Sequence, residues 1–411
     1  MKVLWFSNSP AAAYNDGIKG TGGWMVTLDH ALQSQVELHV SYLYPYKQVP
    51  FQNGQTTYHP IYSGHILLKR FSDITTKNFL ADYLRVIEEV KPDIIHIHGS
   101  ENTFHSILSH VNIPVVLSVQ GNLTVYAQKY LSGFHGRYLN IKRGRMSIKS
   151  LILGRQSYQD GWDYLQKMSK IEQQNLLQLK YVIGRTDWDY RITRILAPDS
   201  TYFVCNEMLR DSFYTNEWHN PYQSGRLVIH TTNGDNYYKG FETLCHALHL
   251  LNGLGLDVEW RVAGVSEDSA INQITKKYLK QNYPQKGLRL MGSLDENGLV
   301  DSLLSSHLYV MPSHIENSPN NLCEAMILGL PCIATHAGGT ASILENRKEG
   351  ILIQDGDPWV MAGAVVELMR NPLLAVQYGQ VARERAQQRH DRERIVQELL
   401  SNYRMIIQNN K

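Results

Sequence analysis

Short, nearly uninterrupted apolar runs alternate with longer helix-patterned stretches along almost the whole chain. VLWF (3–6), VELHVSYL (36–43), DIIHIH (93–98), PVVLSV (114–119) and YVIG (181–184) have the length of strands. Their continuity marks strands buried on both faces, because a sheet with one wet face would alternate apolar and polar residues. Helical patterns lie between them, at 23–34, 79–90 and 101–110. Parallel strands need a long crossover, usually a helix, so the alternation predicts a doubly wound α/β sheet.

Near residue 226 the alternation starts again. RLVIHTT, VEWRVAG, LRLMG, HLYVMPS, PCIAT and GILIQ are its candidate strands, with helices expected at 241–252, 268–281, 296–304, 321–328, 340–346 and 358–370. A length of 411 residues exceeds what one core sustains. The expected fold class is therefore α/β, with two Rossmann-like doubly wound domains facing across a cleft. The first is expected over 1–220 and the second over 221–390, joined by HNPYQSG (219–225), whose Pro, Gly and Asn mark a linker. The tail, 373–408, carries Ile395, Val396, Leu399, Leu400, Tyr403, Ile406 and Ile407 at helical spacing. Its end, 391–411, is expected to pack back on the first domain.

Composition removes several function classes. With 43% hydrophobic and 19% charged residues the chain is globular. A formal net charge of +2 argues against nucleic acid as a partner. Four cysteines without a C-x-x-C pair argue against a zinc site or disulfide framework and fit a reducing cytosol. The apolar run in MKVLWFSNSP is too short for a signal peptide, and no window approaches the ~20 apolar residues of a membrane span. The expected localisation is cytoplasmic, free or peripheral on the inner face of the plasma membrane. Residues 102–159 contain no Asp or Glu but carry Lys129, Arg137, Lys142, Arg143, Arg145, Lys149 and Arg155 among Tyr126, Tyr130, Phe134, Tyr138 and Leu151. Two readings stay open for 129–155: a solvated basic face, or contact with an anionic membrane or a phosphate-bearing lipid.

Open α/β sheets bind ligands beyond the carboxyl ends of their strands. Residues just after strands are therefore the candidates. Gly20, Gly22 and Gly23 in KGTGGWMV precede a helix and permit close backbone approach to a phosphate. His98 ends the strand of HIHGSE, and Gln120 and Asn122 follow the strand ending at Val119. Arg185 follows YVIG and suits a phosphate or carboxylate. Thr186 is a helix cap, with Asp187 and Asp189 as helix-start acids in preference to metal ligands; Asp357 before Pro358 reads as a cap too. Lys239, in TTNGDNYYKGFETL, stands at a helix entrance where it would neutralise a diphosphate. In HIENSPNNLCEA, Glu316 lies in a loop and Glu324 about one turn inside a helix capped by Asn320. The backbone N–H groups of Asn320, Asn321 and Leu322 would face an anion there. Gly329 and Pro331 close that helix.

The order strand, E-x7-E, helix, G-x-P, strand, Gly-Gly resembles the family 4 retaining glycosyltransferases of the two-Rossmann GT-B fold, of the bacterial polysaccharide and surface-glycan type. PSHIENSPNNLCEAMILGLPCIATHAGG is the most specific part, with KG after the first strand of the second domain, the early Gly-Gly and DIIHIHG in support. The resemblance implies a transfer of a hexosyl unit from a UDP- or GDP-sugar, with retention, to a glycan or polyprenyl-diphosphate-linked acceptor. It implies no metal and no cofactor, the nucleotide-sugar being a co-substrate. Glu316 resembles the carboxylate beside the anomeric centre and Lys239 the lysine on the donor diphosphate; His98 and Arg185 complete the expected catalytic set. Glu324 resembles the carboxylate that accepts from the ribose hydroxyls. Gly22, Gly23, Gln120, Asn320, Asn321 and Leu322 complete the expected donor site. Two departures stand out: Gly234 occupies a position where many members carry an arginine, and Gln120 one where many carry a histidine. Arg185 is the candidate substitute for the missing charge. Phosphorylases and nucleotide-sugar epimerases share the architecture, and a non-catalytic nucleotide-sugar binder is the alternative of a different class.

Overall fold

A computed structural model describes residues 1–14, 23–64, 79–134 and 158–410. The chain forms two compact units. The first comprises the described residues of Met1–Ala127, Gly144–Met208 and Asp391–Lys411, the second those of Gln128–Arg143 and Leu209–His390.

The first unit holds one sheet of β1 (Lys2–Ser7), β2 (Glu37–Tyr44), β3 (Phe51–Asn53), β4 (Thr56–Tyr62), β5 (Ile94–His98), β6 (Val115–Ser118), β7 (Tyr181–Gly184) and β8 (Thr201–Val204). Its order is β3-β4-β2-β1-β5-β6-β7-β8. Every pairing is parallel except β3 with β4. The continuous apolar runs are central: Val3, Leu4, Trp5 and Phe6 of β1 are fully buried. The sequence patterns miss β3, β4 and β8. β4 carries Pro60, a residue that argues against a strand inside a sheet. The stretch expected as a helix at 101–110 is a 3-10 helix, Thr103–Ser109.

The tail forms two helices, Pro372–Arg389 and Arg392–Asn409, rather than one. Asp391 caps the second by accepting from the amide of Arg394 at 2.8 Å. The face bearing Ile395, Leu399, Tyr403 and Ile406 is buried in the first unit's core. Tyr403 accepts the Trp5 indole N–H at 3.1 Å and meets His96 Nδ1 at 2.6 Å.

The second unit holds a parallel sheet of β9 (Leu227–Thr232), β10 (Val258–Ala263), β11 (Leu288–Gly292), β12 (Leu308–Met311), β13 (Cys332–Thr335) and β14 (Gly350–Ile353), in the order β11-β10-β9-β12-β13-β14. Counted from β9 this is the 3-2-1-4-5-6 order of a doubly wound sheet, and its order reverses between β9 and β12. The expected helix at 340–346 is a short 3-10 turn, Thr340–Ser342.

The division between the units departs from the expected 1–220 and 221–390. It falls before Leu209, because Leu209, Phe213 and Trp218 are buried in the second unit's core. Trp218 also donates its indole N–H to the Ser306 carbonyl at 2.7 Å. Residues 128–134 belong to the second unit as well. There Phe134 makes edge contacts with the rings of Tyr237 and Tyr278.

Candidate functional site

The second unit gathers its predicted residues where the strand order reverses. β9 ends at Thr232, and a 3-10 turn, Tyr237–Lys239, presents Lys239 before the helix Phe241–Gly253. Gly240 turns the chain at φ 69°, and a Cβ there would lie 2.0 Å from the Pro312 carbonyl oxygen. Only glycine lets this turn press against the end of β12. The loop after β12 delivers Glu316. Its carboxylate meets the Lys239 ammonium at 2.6 Å and accepts from the Ser313 hydroxyl at 2.7 Å. Burial would lower the Lys239 pKa, but the Glu316 charge outweighs it and holds the ammonium above its ordinary range.

The Gly-Gly of the motif supports this loop from below. Gly339 donates its N–H to the Glu316 carbonyl at 2.9 Å. Gly338, at φ 55°, comes so close that a Cβ would stand 1.9 Å from the same oxygen. The sequence spacing thus has a mechanical reason: β13 returns beside β12, and its loop fixes the backbone of Glu316.

The helix Asn320–Leu328 starts after Pro319, which takes the cap position expected for Asn320. Pro319 itself makes no side-chain cap bond. The Leu322 amide is not offered to a ligand: it donates to Pro319 O at 3.1 Å and to Asn321 Oδ1 at 3.0 Å. Asn321 also donates through its side chain to Thr232 O at 2.8 Å, tying the helix start to the end of β9.

Glu324 is buried one turn in, paired with Arg210 at 2.8–2.9 Å. Burial pushes its pKa up to about 7, against the opposing pull of Arg210. Arg210 had no signature in the sequence; it stands far from Glu324 along the chain and follows no apolar strand run. His314 and Glu242 have no signature either, and Asp355 reads from the sequence only as a helix-start acid beside Asp357. His314 lies two residues before Glu316 within the quoted motif. It meets Glu242 at 2.8 Å and Asp355 at 3.4 Å. Asp357 caps its helix as expected, accepting from the amides of Trp359 and Val360 at 3.0 Å.

In the first unit three of the predicted residues, His98, Gln120 and Arg185, border a small cavity of about 20 Å³, space for one water rather than a sugar. His98 lines it with Gln120, Arg185 and Glu207. Both His98 ring nitrogens are buried without a hydrogen-bond partner among the described residues. Burial, then His96 and Arg185, hold its pKa well below the ordinary value, so the imidazole is neutral. Arg185 does not stand as the free substitute charge. It forms a buried ion pair with Glu207 and donates to Val119 O at 2.6 Å. Gln120 is likewise engaged, donating to Glu207 at 2.6 Å. Thr186 caps its helix in a capping box with Asp189, whose carboxylate also accepts from the Arg185 amide at 2.9 Å.

Gly23 opens the helix Gly23–Leu32, while Gly22 lies outside the described residues. Most of the basic segment, including Arg137, Lys142, Arg143, Arg145, Lys149 and Arg155, also lies outside them. Tyr130 and Phe134, its described aromatics, are buried. Among the described residues no group of three or more His, Cys, Asp or Glu is placed to hold a metal ion. No single described helix is long and apolar enough to cross a membrane.

Residues 225–371 match the family Glycosyl transferases group 1, so the second unit carries a domain of that kind. N-acetyl-alpha-D-glucosaminyl L-malate synthase of Bacillus anthracis is 28% identical over 116 residues, 28% of this chain and 30% of that protein. UDP-Gal:alpha-D-GlcNAc-diphosphoundecaprenol alpha-1,3-galactosyltransferase of Escherichia coli is 28% identical over 112 residues, 27% of this chain and 28% of that protein. The chain thus spans about 30% of the length of these curated relatives. Sucrose-phosphate synthase from Thermosynechococcus elongatus superposes with a TM-score of 0.75 at 14% identity, covering 100% of both chains. That likeness establishes the fold, two Rossmann-like domains of the GT-B type.

Proposed function

We propose that the protein is a retaining glycosyltransferase that moves a hexosyl unit from a nucleotide-sugar to a glycan or lipid-linked glycan in bacterial polysaccharide assembly. The carrying observation is the Lys239–Glu316 pair, seated where the strand order of the Glycosyl transferases group 1 domain reverses. In this reading Lys239 leaves part of its bond to Glu316 for the donor diphosphate, stabilising the charge that develops as the nucleoside diphosphate departs. Glu316, freed on one side, faces the anomeric centre, where positive charge develops. Glu324 accepts from the ribose hydroxyls, with Arg210 keeping part of its population ionised. The acceptor's proton goes to the leaving phosphate oxygen on the same face, so no nucleophilic carboxylate on the far face is required, unlike the two-carboxylate glycosidase arrangement. The reaction needs no metal in this scheme.

The donor is a UDP-hexose or GDP-mannose; the name of the Escherichia coli relative favours a UDP-sugar and a diphosphate-linked lipid acceptor. Ligand-induced thermal shift across nucleotide-sugars identifies the donor, since binding stabilises by mass action. With that donor and an acceptor in hand, Glu316→Ala and Lys239→Ala should each lower turnover by at least ~10²–10³-fold. Product NMR should show the donor's anomeric configuration, and turnover should survive EDTA. Full turnover in either variant would refute the assignment. The basic segment 129–155 is read as the contact with anionic membrane. Flotation with anionic vesicles should be lost when Lys142, Arg143 and Arg145 are neutralised.

A further inference from the structure

Two residues before Glu316, His314 is 2% exposed and lies between two carboxylates. Its Nε2 meets Glu242 Oε1 at 2.8 Å and its Nδ1 meets Asp355 Oδ2 at 3.4 Å. A neutral imidazole donates from one nitrogen only. Both contacts are satisfied together only by the imidazolium. The three groups come from three segments at the carboxyl edge of the sheet: Glu242 from the first turn of the helix that follows Lys239, His314 from the loop after β12, and Asp355 from the loop after β14. The His314 amide also donates to the Tyr238 carbonyl, next to Lys239, at 2.8 Å.

We propose that His314 is a positioning residue: its imidazolium ties the loop carrying Glu316 to the turn carrying Lys239 and so sets the geometry of the pair. This rests on the glycosyltransferase reading of that pair. The charged groups facing the ring are Glu242 and Asp355; Lys129 acts on Asp355 from the second unit's residues 128–134. Burial lowers the His314 pKa, but the bonds to Asp355 and Glu242 outweigh it and leave it at about 9. Lys239 is held above its ordinary value by Glu316, so it stays charged where His314 deprotonates.

The test is a set of pH profiles of kcat and donor KM from pH 6 to 10.5 for wild type, His314→Gln and Glu242→Gln. Wild type should lose kcat above about pH 9. His314→Gln should show kcat about tenfold lower at pH 7.5, donor KM within threefold, and no alkaline limb near pH 9. Glu242→Gln removes one counter-charge and should move the wild-type limb down by a pH unit or more, a change that mere packing would not produce. Imidazole ¹⁵N shifts of His314 should report the same titration in the folded protein. Wild-type kcat in His314→Gln with the limb retained overturns the proposal. Loss of turnover in Glu316→Ala beside an unaffected His314→Gln refutes the positioning role alone. Full turnover in Glu316→Ala refutes the underlying assignment instead.

Discussion

Each unit places one Arg or Lys and one Glu in contact beyond the carboxyl ends of parallel strands, and the two pairs differ in what surrounds them. Arg185 and Glu207 in the first unit are 4% and 7% exposed, and Arg185 also donates to the Val119 carbonyl. Lys239 and Glu316 in the second are 22% and 6% exposed, on a turn and a loop that flank the reversal of strand order. The guanidinium is a planar fork with several fixed donors, whereas the ammonium is a point charge on a flexible stem. The first pair is closed by its own hydrogen bonds. The second keeps a more exposed cation, which in the proposed reading turns toward the donor phosphate. Position relative to the sheet therefore does not tell the two pairs apart; exposure and side-chain chemistry do.

The largest expected contrast follows from removing one partner of each pair. Glu207→Ala leaves a buried guanidinium uncompensated and should cost ~3–5 kcal/mol in urea unfolding. Glu316→Ala leaves the more exposed partner, Lys239, whose side chain is 22% exposed, and should cost about 1 kcal/mol while collapsing turnover. Equal stability losses in the two variants would remove the distinction.

A smaller effect concerns Glu324. Its folded pKa of about 7 lies above the model-peptide value near 4.3, so the folded state binds a proton more tightly than the unfolded chain. The corresponding stability is fully present below the unfolded pKa and is lost as pH rises through about 7. Arg210 limits that loss. Arg210→Ala should therefore destabilise little at pH 5 and by ~3 kcal/mol at pH 8, read from thermal midpoints across pH. UDP affinity of the wild type, if UDP is the donor nucleotide, should weaken below pH 7 as the carboxylate loses acceptor capacity. Arg210→Ala should shift that weakening to higher pH. A pH-independent destabilisation would mean that Arg210 acts through packing on Phe213, which its guanidinium overlies, rather than through charge.

The strands that were legible are those buried on both faces, because continuous apolar residues leave a one-dimensional trace. β4 left none: Pro60 and His59 interrupt it, and its place comes from pairing with β2. The Glu316–Glu324 spacing was legible because one loop and one helix turn produce it. Arg210 and Glu242 were not, since each reaches its partner only after segments distant in sequence are brought side by side. The free charge read into Arg185 failed for a different reason: the carboxylate that neutralises it, Glu207, follows β8, the next strand, which the pattern did not reveal.

The smallest effect tests how open each unit is beside its pair. Gly184, directly before Arg185, has no room: a Cβ would lie 2.1 Å from the Tyr202 hydroxyl oxygen and 2.6 Å from Asp189 Oδ1. Gly234, in the loop leading to Lys239, is less confined: the nearest atom to a Cβ is Asn236 Nδ2 at 3.3 Å, the end of a side chain that has only to shift by a few tenths of an ångström. Gly184→Ala should thus cost ~1–3 kcal/mol by forcing the buried cluster apart. Gly234→Ala should fall within about 0.5 kcal/mol of wild type. Gly234→Arg goes further, restoring a cation near the position where the resemblance expects one. It should keep the thermal midpoint and lower donor KM a few-fold, with kcat changed less than KM. A fall in kcat with KM unchanged would show instead that the loop before Lys239 is already filled by the protein's own contacts, as the corresponding loop of the first unit is.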